Sequence, residues 1–301
     1  MTPSTHSQTW TVLEILNWTK EYFARSGIAN PRLNAEVLLG NVLGLERIML
    51  YARFQEPVGQ PERQRFREQV RRRAAGEPLQ YLVGEWEFYG RDFEVGPDVL
   101  IPRPETELLI DRCLELVPAD GVQRWAADIG TGSGAIAVTL AVERPALQII
   151  ATDISPRALE VAARNAERHG VTARVRLIEG DITEPMAAQC LDERAGLDLL
   201  ASNPPYVPTA EIEHLAPEVR DHEPRAALDG GPDGLDVIRR LVPAATRALA
   251  PGGWLVMELG PGQAEAVAEL CERTEAFQSD TVTVASDAGG CRRVFSVRKN
   301  D

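Results

Sequence analysis

The sequence lacks the features of a membrane protein, a disulfide-rich scaffold or a metal-centred domain. No apolar run approaches the ~20 residues of a membrane helix, and residues 1–11 have no basic stretch followed by an apolar one, as a signal peptide would. Its four cysteines, Cys113, Cys190, Cys271 and Cys291, form no CxxC pair, and its four histidines form no HExxH. We therefore expect reduced thiols, a cytoplasmic location and no metal site.

Positive charge is also scarce, with 32 Lys+Arg against 45 Asp+Glu and a net charge of −13. The excess of acid lies in residues 91–301, which hold 21 basic and 35 acidic residues, whereas residues 1–90 hold 11 and 10. Because non-specific binding to duplex DNA depends on neutralising phosphates, this balance argues against a nucleic-acid substrate. It favours a cationic small molecule or a basic partner.

The length and the hydrophobic pattern predict two domains joined by a linker. A chain of 301 residues is typical of two domains. Helical periodicity marks residues 1–76 as a small all-helical domain. We expect residues 77–107 to be a linker with a β-hairpin and residues 108–301 to form the larger domain.

Local signals mark the helices of the first domain and the hairpin of the linker. Thr11 with Glu14 forms a capping box, Asn30-Pro31 opens a second helix and Pro61 opens a third. In the linker, the segment Phe88–Phe93 places aromatic residues on both sides of a turn that contains glycine.

The helix that follows Pro61 carries six arginines between Arg63 and Arg73. One interpretation is a solvated face supported by pairs such as Glu68 with Arg72. The other is a contact for RNA or for an acidic partner. The sequence leaves both open.

From residue 124 onward, apolar strands alternate with helical patterns. The predicted strands are 124–129, 147–152, 174–178, 197–202, 253–259, 281–286 and 293–298. Alternation of this kind predicts an α/β fold, a doubly wound and mostly parallel sheet of seven strands. The last two strands are joined by a short loop and must pair antiparallel, since a parallel crossover needs a dozen or more residues.

A glycine-rich loop lies between the first of these strands and its helix. The segment Asp128–Ala135 reads DIGTGSGA, and Asp153 ends the next strand. Glycines let the backbone approach a ligand, and a carboxylate at the second strand can accept the hydroxyls of an adenosine ribose. The loop and acid also satisfy the pattern of NAD-binding proteins. Asp181, after the third strand, would either meet an adenine amino group or form a simple turn.

The fourth strand ends in Asn203-Pro204-Pro205-Tyr206, at the same edge of the sheet as the glycine loop. The prolines lack N–H donors, so the Asn203 side-chain oxygen and the Pro204 carbonyl are two acceptors that suit an NH₂ group. Tyr206 offers a flat face to a planar amide or base. A planar nitrogen is a poor nucleophile, so such a site calls for positioning and for an activated donor such as a sulfonium methyl group.

These motifs resemble those of class I S-adenosylmethionine-dependent methyltransferases with an NPPY motif. The chain is most similar to the HemK/PrmC family, which methylates the glutamine side-chain amide in the Gly-Gly-Gln loop of class 1 peptide release factors. The similarity covers nearly the whole chain. Besides the two loops it rests on four segments: Pro31–Glu36, Pro78–Gly84 continuing to Phe88–Gly90, Ile101–Glu107 (IPRPETE) and Ala227–Leu235.

The resemblance implies a Rossmann-like methyltransferase fold and a set of cofactor contacts. The residues implied to bind S-adenosylmethionine are Gly130, Thr131, Gly132, Ser133, Gly134, Asp153, Asp181, Ile182 and Asn203. Some relatives carry a tryptophan where Ile182 stands, so aromatic stacking on the adenine is not implied for this chain.

The resemblance also implies where the substrate binds. The catalytic residues would be Asn203, Pro204, Pro205 and Tyr206. The substrate entrance would be lined by Arg103, Pro104, Glu105, Thr106 and Glu107. The helical domain would recognise the body of a class 1 release factor, and the enzyme is expected to act as a monomer.

Four other functions share part of this pattern. A sister family that methylates a glutamine of a large-subunit ribosomal protein has both loops, but Pro104–Glu107 favours the release-factor branch. Nucleic-acid amino-methyltransferases share NPPY and usually need a basic surface. An NAD-dependent oxidoreductase would leave NPPY unexplained. A sensor or translation-factor adaptor would bind S-adenosylmethionine without turnover.

Overall fold

The computed structural model describes residues 10–182 and 196–301. These residues form two units. Within these ranges, one unit comprises residues 10–84 together with Pro217–His222, and the other comprises residues 85–182, 196–216 and 223–301. Each unit contains its own cluster of buried apolar side chains. The finer divisions at residues 76 and 107 stay predictions.

Helices make up the first unit. They are α1 (Val12–Arg25), α2 (Pro31–Leu43), α3 (Arg47–Ala52), α4 (Gln60–Ala74) and α5 (Leu79–Val83). The expected capping box is present at α1, where Thr11 Oγ1 accepts the Glu14 N–H at 3.3 Å and Glu14 Oε2 accepts the Thr11 N–H at 2.8 Å. Pro31 begins α2, and Gly44 ends it with a left-handed φ of 64°.

Several arginines of α4 are held by partners within the first unit. Arg71 forms an exposed ion pair with Glu68 at 2.7 Å. Arg73 is buried and donates to Asn34 Oδ1 and to Glu218 Oε2, both at 2.7 Å. These contacts give part of the arginine cluster a structural role, because a buried guanidinium needs such partners to be stable.

The predicted hairpin opens the second unit. Strands β1 (Glu85–Phe88) and β2 (Arg91–Glu94) pair antiparallel. Tyr89 and Gly90 form the turn with φ values of 52° and 68°. Positive φ at both central residues is typical of a two-residue type I′ turn, in which glycine is favoured.

The main sheet of the second unit has seven strands. They are β3 (Arg124–Ile129), β4 (Leu147–Asp153), β5 (Val175–Glu179), β6 (Leu197–Ser202), β7 (Leu249–Glu258), β8 (Thr283–Ser286) and β9 (Arg292–Arg298). Their order is β5-β4-β3-β6-β7-β9-β8. Six of these strands run in one direction, and β9 runs in the opposite direction between β7 and β8. The predicted doubly wound, mostly parallel sheet is confirmed, including the antiparallel pairing of the last two strands.

Helices connect and cover the strands of this sheet. They are α6 (Pro104–Leu116), α7 (Ala135–Glu143), α8 (Pro156–Arg168), α10 (Asp236–Ala248) and α11 (Ala264–Arg273), whereas the short α9 (Pro217–Arg220) belongs to the first unit. Buried residues of the strands and of these helices form the apolar core on the two faces of the sheet.

The strand order reverses between β3 and β6. Chain order leads from β3 outward to β4 and β5, then returns to β6 on the other side of β3. At such a switch point the loops after the two central strands diverge and leave a crevice where ligands bind. The glycine loop and the NPPY segment are these two loops.

Three sequence expectations concern the cysteines, membrane-spanning helices and metal sites, and the described residues give the following observations. Cys113, Cys271 and Cys291 are free thiols, and Cys190 lies outside the described residues. Within residues 10–182 and 196–301, no helix combines the length and apolarity needed to cross a bilayer. The same ranges contain no cluster of three or more potential ligands that could hold a metal ion.

Candidate active site

The glycine loop is fastened to the strands on which it lies. The backbone N–H groups of Gly130 and Thr131 both donate to the Thr152 carbonyl at 2.9 Å. Gly134 starts α7 in a left-handed conformation with φ 80°, and a Cβ there would come within 3.1 Å of Ala162 Cβ. Glycine is therefore required at this close approach of α7 to α8. At Gly132, by contrast, a Cβ would meet nothing within 4 Å, so this part of the loop borders open space.

Buried Asp128 secures the loop from beneath, although the sequence interpretation gave it no role. Its Oδ2 accepts the Thr131 hydroxyl at 2.6 Å and the Ala137 N–H at 3.1 Å. Burial raises the pKa of this carboxyl to about 7. Its other oxygen forms no hydrogen bond with the described part of the chain.

A second buried residue outside the predicted site, Asn165 of α8, supports the same loop. Its Nδ2 donates to the Ser133 carbonyl at 2.8 Å and to the Glu94 carbonyl at 3.0 Å. Its Oδ1 accepts the Glu94 N–H at 2.7 Å. One side chain thus joins the glycine loop to the end of the β-hairpin.

Asp153 lies at the end of β4, beside the glycine loop. Its Oδ2 accepts the Gly132 N–H and its Oδ1 accepts the Ser155 N–H, both at 2.9 Å. Burial raises the pKa of this carboxyl, while these backbone donors lower it. Each carboxylate oxygen has a second acceptor direction. The remaining acceptor positions of Asp153 therefore suit two vicinal ribose hydroxyls placed against the open side of the loop.

Two residues expected near an adenine differ in their surroundings. The Asp181 carboxylate forms an ion pair with the Arg240 guanidinium of α10. Ile182 is only 8% exposed and packs in the core, and its carbonyl accepts the Thr152 hydroxyl at 3.0 Å. Ile154, which directly follows Asp153, is 58% exposed. An apolar surface beside the carboxylate suits a purine face, and the sequence interpretation did not include it.

The NPPY segment leaves β6 level with the glycine loop. Ile129 of β3 pairs with Ser202 of β6, and the Ser202 hydroxyl donates to the Ile129 carbonyl at 2.8 Å. Gly130 and Asn203 are the first residues after these two strands. Parallel pairing therefore brings the predicted cofactor loop and the predicted catalytic asparagine together.

A chain of hydrogen bonds connects Asn203 with Tyr206 through two buried residues. Asn203 Nδ2 donates to Thr106 Oγ1 at 3.1 Å, and the Thr106 hydroxyl donates to Glu258 Oε2 at 2.6 Å. The Tyr206 hydroxyl donates to Glu258 Oε1 at 3.0 Å. Burial and this carboxylate raise the pKa of the Tyr206 hydroxyl, which keeps it protonated. Glu258, at the end of β7, was not identified from the sequence.

Gln263 holds the backbone of the NPPY segment. Its Nε2 donates to the Tyr206 carbonyl at 3.0 Å and to the Gly234 carbonyl at 3.3 Å, and its Oε1 accepts the Gly260 N–H at 2.9 Å. A Cβ at Gly234 would lie 2.2 Å from the Tyr206 carbonyl oxygen. The glycine-rich segment after NPPY is thus needed for its close approach to Tyr206.

The five residues predicted at the substrate entrance have different partners. Arg103 pairs with buried Glu223 at 2.5 Å. Glu107 Oε1 accepts the Tyr89 N–H of the hairpin turn at 2.8 Å. Thr106 is buried and contacts Asn203, whereas Pro104 is exposed and Glu105 is half-buried. The role of this segment at an entrance stays a prediction.

Comparison with known proteins places the chain among enzymes that share both units. A model of the PrmC N-terminal domain matches residues 14–84, and a methyltransferase-domain model matches residues 126–292. A release factor glutamine methyltransferase of Geobacter sulfurreducens is 49% identical, with 96% of this chain and 97% of that protein covered. One of Moorella thermoacetica is 46% identical over 95% and 97%. The chain belongs to the release factor glutamine methyltransferase family.

Membership makes the protein an S-adenosylmethionine-dependent protein-glutamine methyltransferase. A crystal structure of a methyltransferase from Pyrococcus furiosus has the same fold, with a TM-score of 0.50 and 20% identity over 71% of this chain and 91% of that one. Membership in the family, shown by the relatives at 49% and 46% identity, sets aside the NAD-dependent and non-catalytic alternatives.

The raised pKa of Asp128 predicts a pH-dependent stability. In the unfolded chain this carboxyl ionises near 3.8, whereas in the folded protein it holds its proton to about 7. The protonated carboxyl therefore contributes fully to the stability of the fold below pH 3.8, and this contribution is lost as the pH rises through about 7. Between pH 5 and pH 8 the free energy of unfolding of the wild type should therefore fall by about 3 kcal/mol more than that of Asp128→Asn. Urea unfolding of both proteins at the two pH values measures this difference, and equal losses would contradict it.

Removal of the Asp153 carboxylate should weaken cofactor binding more than catalysis. If Asp153 accepts both ribose hydroxyls as predicted, Asp153→Ala removes two charge-assisted hydrogen bonds, and the Kd of S-adenosylmethionine should rise about 10- to 100-fold. The kcat at saturating cofactor should change less. Isothermal titration calorimetry gives the Kd, with the exposed Asp280→Ala as the matched control. An unchanged Kd in Asp153→Ala would refute the assignment.

Proposed function

We propose that this protein transfers one methyl group from S-adenosylmethionine to the side-chain amide nitrogen of the glutamine in the Gly-Gly-Gln loop of class 1 peptide release factors. The relatives with 49% and 46% identity are named for a release factor glutamine. The observation that supports the proposal is that Asn203 follows Ser202, the register partner of Ile129, so Asn203 and Gly130 leave the sheet at the same level of the switch point.

The proposed substrate pocket supplies acceptors to an amide NH₂ group. Asn203 Oδ1 and the Pro204 carbonyl would each accept one N–H of the glutamine. Neither Pro204 nor Pro205 has an N–H that would compete for these acceptors. The ring of Tyr206, held by its hydroxyl bond to Glu258, offers a flat face to the amide plane.

Positioning supplies most of the catalysis in this proposal. S-adenosylmethionine supplies an electrophilic methyl group when it is bound. The two acceptors draw electron density onto the amide nitrogen and aim its lone pair at the methyl carbon. An N–C bond forms as the C–S bond breaks, and one amide proton then leaves to solvent. The protonated Tyr206 hydroxyl and the engaged Glu258 are not needed as bases.

The helical unit is proposed to dock the body of the release factor. Large apolar side chains are exposed mainly in this unit: of eight in the described chain, six lie between Leu13 and Phe54. A groove of about 460 Å³ in the same unit is lined in part by Trp10, Trp18, Tyr22, Arg63, Arg67 and Arg71. Exposed aromatic and arginine side chains are typical of protein-binding hot spots. The predicted monomeric state and cytoplasmic location belong to the same proposal.

Mass spectrometry tests the proposed reaction directly. An unmethylated release factor, a large-subunit ribosomal protein and a duplex DNA are each incubated with the enzyme and S-adenosylmethionine. We expect a single added methyl group on the Gly-Gly-Gln glutamine of the release factor. A methyl group only on the ribosomal protein or the DNA would show methyl transfer to a different substrate and refute the release factor as substrate. No transfer to any of the three would refute the proposed reaction itself.

Loss of the Asn203 amide should slow methyl transfer. Asn203→Ala removes one of the two acceptors for the substrate NH₂, so we expect kcat to fall by about 10²–10³-fold. Single-turnover methylation of the release factor measures the rate. Asn300→Ala, which changes an exposed asparagine on the same unit, should remain at the wild-type rate. A wild-type rate in Asn203→Ala would exclude the proposed role.

Changes in the groove should affect intact release factor but not a short peptide. Arg67 forms no ion pair with any residue in the described ranges, so Arg67→Glu reverses a charge with little internal cost. Arg67→Glu and Trp18→Ala should each lower kcat/KM for the intact release factor about 10-fold or more. Activity on a Gly-Gly-Gln peptide should not change.

The control for these groove variants is Arg273→Glu, the same charge change on α11 of the other unit. Equal kcat/KM values for all variants on intact release factor would refute docking at the groove. The proposed methylation reaction would not be affected by that result.

A further inference from the structure

Asn203 can serve the proposed reaction in only one orientation of its side-chain amide. The substrate NH₂ group is a donor, so Asn203 must present its oxygen to the substrate. If the amide turned over, its own NH₂ would face that of the glutamine, and two donors cannot form a hydrogen bond. An interaction that fixes this orientation therefore affects catalysis.

The contacts of Thr106 determine the orientation of Asn203. A threonine hydroxyl has one hydrogen to donate. Thr106 lies 2.6 Å from Glu258 Oε2, and a carboxylate can only accept, so the hydrogen of Thr106 is directed to Glu258. Thr106 Oγ1 then presents a lone pair to the Asn203 amide at 3.1 Å. Only the NH₂ group of Asn203 can fill that contact, and Oδ1 is left directed elsewhere.

Glu258 is well placed to act as this acceptor. It is 1% exposed, and its two oxygens accept hydroxyls from Thr106 and Tyr206. Burial raises the pKa of Glu258 above its usual value, and the hydrogen bonds from the two hydroxyls offset only part of this rise. Burying a carboxylate costs free energy, and the hydrogen bonds that both oxygens accept offset part of this cost.

We infer that Thr106 and Glu258 are positioning residues for methyl transfer, which hold the Asn203 amide with its oxygen toward the substrate glutamine. The inference rests on the proposed function, because it assumes that Asn203 binds the glutamine amide. Neither residue touches the reacting atoms. Both act through Asn203, and Glu258 also acts through Tyr206.

The test replaces the Thr106 hydroxyl with a methyl group of similar size. Thr106→Val should lower kcat on the release factor about 10- to 100-fold, because Asn203 loses the contact that orients it. Thr106→Ser keeps the hydroxyl and should stay within about threefold of the wild type. Thr139→Val is the matched control, since Thr139 is a fully buried threonine whose hydroxyl has no hydrogen bond within the described chain. Its kcat should not change.

A double-mutant cycle separates positioning from a general loss of structure. If Thr106 acts through Asn203, adding Thr106→Val to Asn203→Ala should cause no further loss of kcat. A further loss of 10-fold or more would overturn the inference. So would a wild-type kcat in Thr106→Val, or a Thr106→Ser variant as slow as Thr106→Val. The Kd of S-adenosylmethionine should be the same in Thr106→Val and Thr106→Ser as in the wild type.

The chain of hydrogen bonds from Glu258 through Thr106 to Asn203 also predicts the effect of a change at Glu258. Glu258→Leu removes the acceptor, so the Thr106 hydroxyl is free to donate to Asn203 Oδ1 and turn the amide over. We expect kcat to fall at least as far as in Thr106→Val. In the Asn203→Ala background the loss caused by Glu258→Leu should be smaller, because only the contribution through Tyr206 remains. If the wild-type enzyme methylates release factor but these losses are additive, only the positioning inference fails. If the wild type transfers no methyl group, the proposed function fails as well.

Discussion

The parallel pairing of β3 with β6 is the constraint on which the rest of the site depends. These strands are far apart in sequence, yet Ile129 and Ser202 share one register position. Because the sheet winds in opposite directions from this pair, the loops after both strands open into one crevice. A shift of register would separate Gly130 from Asn203, and neither loop could then serve the other.

The loops themselves are held by buried polar groups beneath them. Asp128 and Asn165 bind the glycine loop, whereas Glu258 and Gln263 bind the NPPY segment. Each makes at least two hydrogen bonds, which offsets the cost of burying it. A site that acts through the placement of acceptors requires such rigidity, because a loose acceptor would not select one orientation of an amide.

Local patterns predicted much of this architecture because their causes are local. The capping box of α1, the left-handed turn of the hairpin and the glycine before α7 each depend on a few adjacent residues. The alternation of strands and helices restricts topology strongly, so the doubly wound sheet followed as well. Asp153 and Asn203 could be predicted at one edge, since the carboxyl ends of parallel strands share it.

The sequence by itself determined the fold and the two loops at the switch point, since periodicity and motif spacing are properties of neighbouring residues. The resemblance of its motifs to known ones indicated the family. Only the tertiary structure decided which side chains support these loops. Thr106 and Glu258 are 152 residues apart, and Glu258 ends an apolar strand that gives no sign of a polar partner. Their contact depends on the packing of α6 against β7, and a hydrogen bond needs atomic distances that no linear pattern encodes.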